Sequence, residues 1–360
     1  MLRLKKITLT HFKNYHFTSF DFSENVMGIS GLNGKGKTNL LDAIYYCCFT
    51  KSYFSPTDTL NINLGNDGFR LEAGFEHSGN GQKVTCIHRG TGRKEFSVND
   101  IAYEKHSKHI GLLPAVMIAP DDIEMITGGS DLRRKYIDTI LCQVDTTYLE
   151  QLMVYNKVLL QRNSLLKKPV ATGHIDEALL ETLDEQLCLP AEYIYKKRAS
   201  FLPKIIISVH EFYGIISGET DRILLNYESQ LAQNNLPELL KLNRSKDKML
   251  QRTTTGIHRD DIIFRMNGEL FKNIASQGQR KSLLFALKLS EYEMLKQMKG
   301  FAPLLLLDDV FEKLDSERIK NLLHWVCRQN DGQVFITDTN AERLENIFTA
   351  LDVPYQLIAL

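Results

Sequence analysis

The chain has 360 residues, enough for two domains of ordinary size, and its 43% hydrophobic and 24% charged residues are expected of a soluble globular protein. Lys+Arg and Asp+Glu both number 44, so bulk charge does not point to nucleic acid, and any surface for a polyanion must be a local patch. The apolar runs, such as Leu304–Leu307, fall far below the roughly 20 residues of a membrane span, the basic start MLRLKKITLTHFKNY lacks the apolar core of a signal peptide, and the six cysteines form no CxxC pair, as in a reducing cytosol.

Residues 1–30 read as strands: ITLTHF and HFTSFDF alternate, and NVMGIS is a short apolar run. From Phe69 to about Tyr103 the signals are hairpins. FRLEAGFEH and QKVTCIHR flank SGNG, and EFSV precedes Asn99-Asp100. His106 and His109 share a spacing that suits one helix face; with no nearby cysteine they read as a surface pair rather than metal ligands. AVMIA (Ala115–Ala119) is a buried strand stopped by Pro120. From Leu132 to Leu166 apolar residues recur every three or four positions, as in one long amphipathic helix or two joined ones. A second helical stretch covers Ile175–Ile216, with kinks expected at Pro190 and Pro203. A strand at Ile223–Tyr227, a Lys/Arg-rich helix near Leu236–Arg252 and a hairpin at Asp261–Leu270 follow. The last third alternates helix and strand: helix 279–298, strand LLLL, helix 316–328, strand QVFITD, helix 340–350 and a final strand. The fold class expected is an α/β head with mixed sheets in two sequence halves, 1–125 and 253–360, with an inserted, mostly helical lobe at 126–252.

Three stretches carry chemistry. Gly31-Leu32-Asn33-Gly34-Lys35-Gly36-Lys37-Thr38, followed by Asn39, fits G-x-x-x-x-G-K-[ST], follows a strand and opens an apolar-faced helix (Leu40, Leu41, Ile44), the context that the P-loop requires. Its glycines let backbone N–H groups wrap phosphates; Lys37 would reach the β- and γ-phosphates, and the Thr38 hydroxyl would ligate Mg²⁺. Leu304–Leu307 delivers Asp308 and Asp309 to the C-terminal edge of a buried strand, where open parallel sheets bind ligands. Asp308 would hold Mg²⁺ through water and Asp309 would polarise the attacking water. The third stretch, Ser276-Gln277-Gly278-Gln279, opens a helix shortly before the carboxylate strand. This order resembles the signature arrangement of ABC-type ATPases, in which the loop closes over the γ-phosphate held by a second copy. Ser276 would donate a hydroxyl and Gly278 a backbone N–H, with the helix dipole behind them.

Nearly the whole chain resembles the RecF family of SMC/Rad50-like ABC ATPases. The resemblance rests on LKKITLTHFKNY, GLNGKGKTNLLDAIYY, APDDIEMITGGSDLRRKYID at 119–138, GIHRDD at Gly256–Asp261, ASQGQRK and LLLLDDVFEKLD. The chain departs from the family pattern at Ile257 and Asp131, where proline is usual, and at Asp121, where glutamate is usual. The resemblance implies an ATP-dependent homodimer with ATP and Mg²⁺ as cofactors, and a weak DNA-stimulated ATPase. It further implies binding at junctions of single-stranded gaps with duplex DNA, a RecR-type partner, RecA loading in repair, replication restart and SOS induction, and a cytoplasmic, nucleoid-associated location. It places Lys13 and Asn14 where the family touches nucleotide, and Asp315 where related ATPases have a subunit-contact aspartate, although a helix N-cap explains Asp315 almost as well. Asp338 or Thr337 stands where transporter ATPases have a switch histidine.

DNA needs basic side chains that release counterions. The candidates are Arg133, Arg134 and Lys135, then Lys167 and Lys168, Lys196–Arg198, and Lys241 with Arg244, each of which also reads as a solvated helix face. Arg259 and Asp260 read as a structural ion pair. Two competing functions are an ABC transporter's cytosolic motor, which should lack the helical insertion and carry the switch histidine, and a short SMC-like clamp, which needs a far longer coiled coil.

Overall fold

The computed structural model describes residues 1–167, 175–218, 223–311 and 315–360. Its elements in chain order are β1 (Leu2–Phe12), β2 (Tyr15–Asp21), β3 (Val26–Ser30), α1 (Lys37–Phe49), β4 (Gly68–His77), β5 (Asn80–Arg89), β6 (Lys94–Val98), β7 (Ile101–Ala102) and β8 (Ala115–Ile118). Helices α2 (Ser130–Val144), α3 (Thr146–Lys167) and α4 (Glu177–Ser217) follow, then β9 (Ile223–Glu228), α5 (Leu236–Leu250), β10 (Asp261–Met266) and β11 (Glu269–Leu270). The chain ends with α6 (Gln277–Lys299), β12 (Leu304–Leu307), α7 (Ser316–His324), β13 (Val334–Asp338), α8 (Ala341–Ala350) and β14 (Tyr355–Ala359).

The chain divides into two compact units. The first comprises Met1–Ile123, Glu211–Glu219 and Ser276–Leu360. It holds a five-stranded sheet in the order β14-β3-β13-β12-β8, parallel throughout, and a six-stranded antiparallel sheet in the order β2-β1-β4-β5-β6-β7. Every residue of β3, β8, β12 and β13 is buried, the pattern of a parallel sheet covered on both faces. β1 shows why simple alternation misleads: Leu2 and Leu4 are buried, then Ile7 and Leu9, a change of phase. A register shift in its pairing with β4 between Leu4 and Lys6 inserts the extra residue that keeps both pairs on the core face. His109, expected at the surface, is fully buried. Its Nε2–H donates to the Cys47 carbonyl at 2.8 Å, and its Nδ1 lies 3.3 Å from the Tyr103 hydroxyl.

The second unit comprises Glu124–His210 and Thr220–Ala275. Residues 253–275, expected in the head, fall here because β10 pairs antiparallel with β9 along its whole length. The apolar stretch from Leu132 forms two helices, α2 and α3, which break at Asp145; its carboxylate accepts the Tyr148 N–H at 2.9 Å in the new first turn. The helix α4 continues through Pro190 and Pro203, both expected to kink it. By length and composition α4 is apolar enough to cross a bilayer, but it carries Arg198, buried on Asp138 and Asp260.

Candidate functional site

The P-loop joins β3 to α1. Gly36 sits at φ 111°, in the left-handed half of conformational space, and a Cβ there would meet the Asn14 amide at 2.6 Å and the Tyr15 hydroxyl at 2.8 Å. Glycine is therefore required both by backbone and by space. The Asn14 amide donates to the Lys35 carbonyl at 3.1 Å and accepts from the Asn39 amide at 2.7 Å, while the Tyr15 hydroxyl donates to the Gly36 carbonyl at 3.1 Å. Asn14 and Tyr15 thus brace the loop from the β1–β2 turn. Lys13 does not share this contact: its ammonium pairs with the buried Asp42 at 2.5 Å. The Lys37 ammonium donates to the Gly31 carbonyl at 2.7 Å and faces the Leu32 carbonyl at 3.4 Å, folding the loop around itself.

Two carboxylates leave β12 in different settings. Asp308 is 5% exposed. It accepts from the Thr38 hydroxyl at 2.8 and 3.1 Å and from the Thr337 hydroxyl at 2.8 Å. Burial pushes its carboxyl above the usual range, opposed by these hydroxyls and by the Lys37 charge. Asp309 has φ 46°, and its N–H donates to the Thr337 hydroxyl at 2.9 Å. Thr337 therefore holds both carboxylate residues, one through its side chain and the other through its backbone. The sequence offered Thr337 only as an alternative to Asp338. Asp338 itself accepts a two-pronged contact from Arg343, whose guanidinium also stacks over the Phe311 ring at 4.7 Å. Arg343 and Tyr15 had no signal in the sequence.

The donors beside Asp308 are all oxygens. One carboxylate and the Thr38 hydroxyl fit a hard Mg²⁺ ion that keeps waters and takes its remaining ligands from phosphates. Among the described residues no group of three His, Cys, Asp or Glu side chains could form an all-protein metal cage.

Ser276 is the N-cap of α6. Its hydroxyl accepts the Gln279 N–H at 3.1 Å, and the Gln279 side chain accepts the Ser276 N–H at 2.9 Å. This reciprocal capping box fixes the turn, while Ser276 and Gln277 remain exposed. Asp315 is the N-cap of α7, accepting the Arg318 N–H at 2.9 Å.

Several basic candidates for DNA contact are occupied within the second unit. Arg133 makes a two-pronged pair with Asp261 at 2.7 and 3.0 Å and is 7% exposed. Arg134 donates to the Asp260 carbonyl at 2.6 Å. Arg198 is buried on Asp138, Asp260 and the Ile257 carbonyl. Lys197 pairs with Asp145, Lys196 with Glu192, and Arg244 with Glu181 and Asp184. Arg133 and Arg198 are thus structural, because a buried guanidinium needs its carboxylates. The expected Arg259–Asp260 pair does not form: Asp260 is taken by Arg198 at 3.0 Å and the Tyr227 hydroxyl at 2.5 Å, and Arg259 is exposed. Lys168 lies outside the described residues.

A family profile described as "AAA domain" matches residues 6–351. The chain is 39% identical over 359 residues to the DNA replication and repair protein RecF of Flavobacterium johnsoniae, covering 100% of both chains. It is 41% identical over 351 residues to RecF of Azobacteroides pseudotrichonymphae, covering 98% of this chain and 95% of that one. The chain belongs to the RecF family. Its fold agrees: a structure of the recombination mediator protein RecF-ATPrS in the RecFOR pathway superposes with a TM-score of 0.88 at 30% identity, covering 100% of this chain and 96% of that one. The RecF-ATP structure gives 0.86 at 31% identity, covering 94% and 92%. An Smc head domain from Pyrococcus furiosus gives 0.58 at 16% identity, covering 100% and 93%, a likeness of fold alone.

Proposed function

We propose that this RecF-family chain is an ATP-dependent DNA-binding recombination mediator. The observation that carries the reading is the meeting of Thr38 and Asp308, 270 residues apart in sequence, at 2.8 Å. It places the P-loop hydroxyl and the strand-end carboxylate at one spot, as nucleotide hydrolysis needs. RecF relatives solved with ATP and ATPrS support the nucleotide.

In this reading the amides of Gly31–Asn39 and the Lys37 ammonium bind the phosphates; Asn14 positions the loop, and Lys13 anchors the β1–β2 turn through Asp42. Thr38 and Asp308 would hold Mg²⁺, which when bound neutralises charge on the phosphate oxygens. Asp309 accepts the proton of the attacking water. Aspartate is one methylene shorter than glutamate, so turnover is slow. Ser276, Gln277, Gly278 and Gln279 complete the site of a second copy, and Asp315 meets that copy at the same interface. The dimer then binds DNA at a junction of single strand and duplex, and with a RecR-type partner promotes RecA loading. Neutral net charge leaves one subunit without enough positive surface, so closure joins two local patches. The named RecF relatives favour this reading over a transporter motor or an SMC-like clamp.

The test is gel filtration with and without ATP, followed by binding to gapped, single-stranded and duplex DNA over a salt series. ATP should double the mass, and DNA affinity should require ATP and fall steeply with salt. Tight binding by an ATP-free monomer would overturn the reading.

A further inference from the structure

One side chain joins the Ser276 turn to the Asp315 turn. The Arg318 guanidinium lies 3.1 Å from Asp315 Oδ2, and the Arg318 N–H donates to Asp315 Oδ1 at 2.9 Å, so both carboxylate oxygens are engaged by one residue. The same guanidinium reaches α6: a Cβ built on Gly278 would meet Arg318 Nη1 at 2.1 Å and Cζ at 3.3 Å. Gly278 is not among the glycines with positive φ. Its backbone is open to any residue, and glycine weakens a helix. The space beside Gly278 is occupied by the end of the Arg318 side chain, which is only 14% exposed, so a methyl at 278 would displace the guanidinium.

We propose that Arg318 is a positioning residue that ties the Ser276–Gln279 turn to the Asp315 turn, with Gly278 admitting its guanidinium. The two elements that the function above assigns to the second copy then move as one body when nucleotide closes the dimer. This rests on the two-copy site proposed above. A planar guanidinium suits the task, because one edge meets a carboxylate while a face lies against backbone; lysine offers a single point charge and no plane. Arg318→Lys keeps the Asp315 pair and loses the Gly278 contact.

Two measurements test it. Without nucleotide, hydrogen exchange of the Gln279 and Arg280 amides should quicken by about fivefold or more in Arg318→Met, and also in Arg318→Lys, while the α1 amides are unchanged. With ATP, Gly278→Ala should weaken dimerisation by about tenfold in the native background and less than about twofold in Arg318→Ala, where its methyl has room. ATP affinity of each monomer should stay native. Unchanged exchange in Arg318→Met, or equal effects of Gly278→Ala in both backgrounds, would overturn the proposal. A native chain that does not dimerise on ATP would instead sink the two-copy site, and the exchange data would still decide the Arg318 contact.

Discussion

Thr337→Val tests the reading of the catalytic strand ends most directly. Thr337 is fully buried in β13, and valine keeps its branched shape and strand preference. The change removes a hydroxyl donor to Asp308 and an acceptor of the Asp309 N–H, at 2.8 and 2.9 Å. A hydrogen bond to a charged group contributes about 1.5–3 kcal/mol. If that stabilisation is expressed in the transition state, hydrolysis falls by roughly 10- to 150-fold. The pH profile adds a sign. Burial already raises the Asp308 carboxyl, and Thr337 is the first of the groups that lower it. Its loss raises that carboxyl further, so the acid limb of the rate profile should move to higher pH. The assay is phosphate release at saturating ATP and Mg²⁺ from about pH 5 to 9, alongside binding of a fluorescent ATP analogue without Mg²⁺, which should be unchanged. Rates within about twofold of native across that range would refute the reasoning. So would a loss of nucleotide affinity as large as the loss of rate.

Asp309→Asn should keep ATP binding and dimerisation but abolish hydrolysis, since an amide cannot accept the water's proton; hydrolysis at the native rate would remove Asp309 from the mechanism. Lys37→Ala and Ser276→Arg should each be inactive alone, yet a tethered heterodimer has one whole site and should recover part of the activity; no recovery beside an active tethered native pair would count against the two-copy site. Arg198→Ala should destabilise the chain by about 3–5 kcal/mol, because the buried Asp260 and the half-buried Asp138 lose their shared guanidinium. Burial already raises the Asp260 carboxyl and Arg198 opposes this, so the deficit in urea midpoint should be larger at about pH 8 than at about pH 5; a deficit independent of pH would contradict the pairing. His109 and His258 are held neutral by burial, with pKa values lowered from an ordinary 6.5 to about 4. Depressed histidines contribute stability above pH 6.5 that is lost as pH falls through 4, about 3 kcal/mol each. A urea midpoint that stays flat over this interval would show that these imidazoles are not buried neutral.

Much of the candidate site was legible locally. The P-loop is a run of neighbours whose glycines and lysine state their own backbone geometry, and Ser276 with Gln279 spells a capping box four residues long. The buried strands β12 and β13 read as apolar runs for the same reason. Local patterns failed where the partner is remote. Arg133 and Arg198 read as solvated helix faces because Asp261 lies 128 residues and Asp260 62 residues away. His109 read as exposed because nothing near it in sequence announces the Cys47 carbonyl, 62 residues off.

The sequence by itself marked the glycine-rich loop proposed for phosphate, the strand end that carries Asp308 and Asp309, and the capped turn at Ser276, since each depends on residues within one turn or strand of one another. Only the tertiary structure decided that Thr337 rather than Asp338 serves the carboxylates, that a bulge in β1 keeps two phases of alternation on one face, that Asp260 belongs to Arg198, and that the Arg318 guanidinium lies against Gly278. In each case the deciding quantity is the distance between side chains brought together by packing, and spacing along the chain carries no information about that distance.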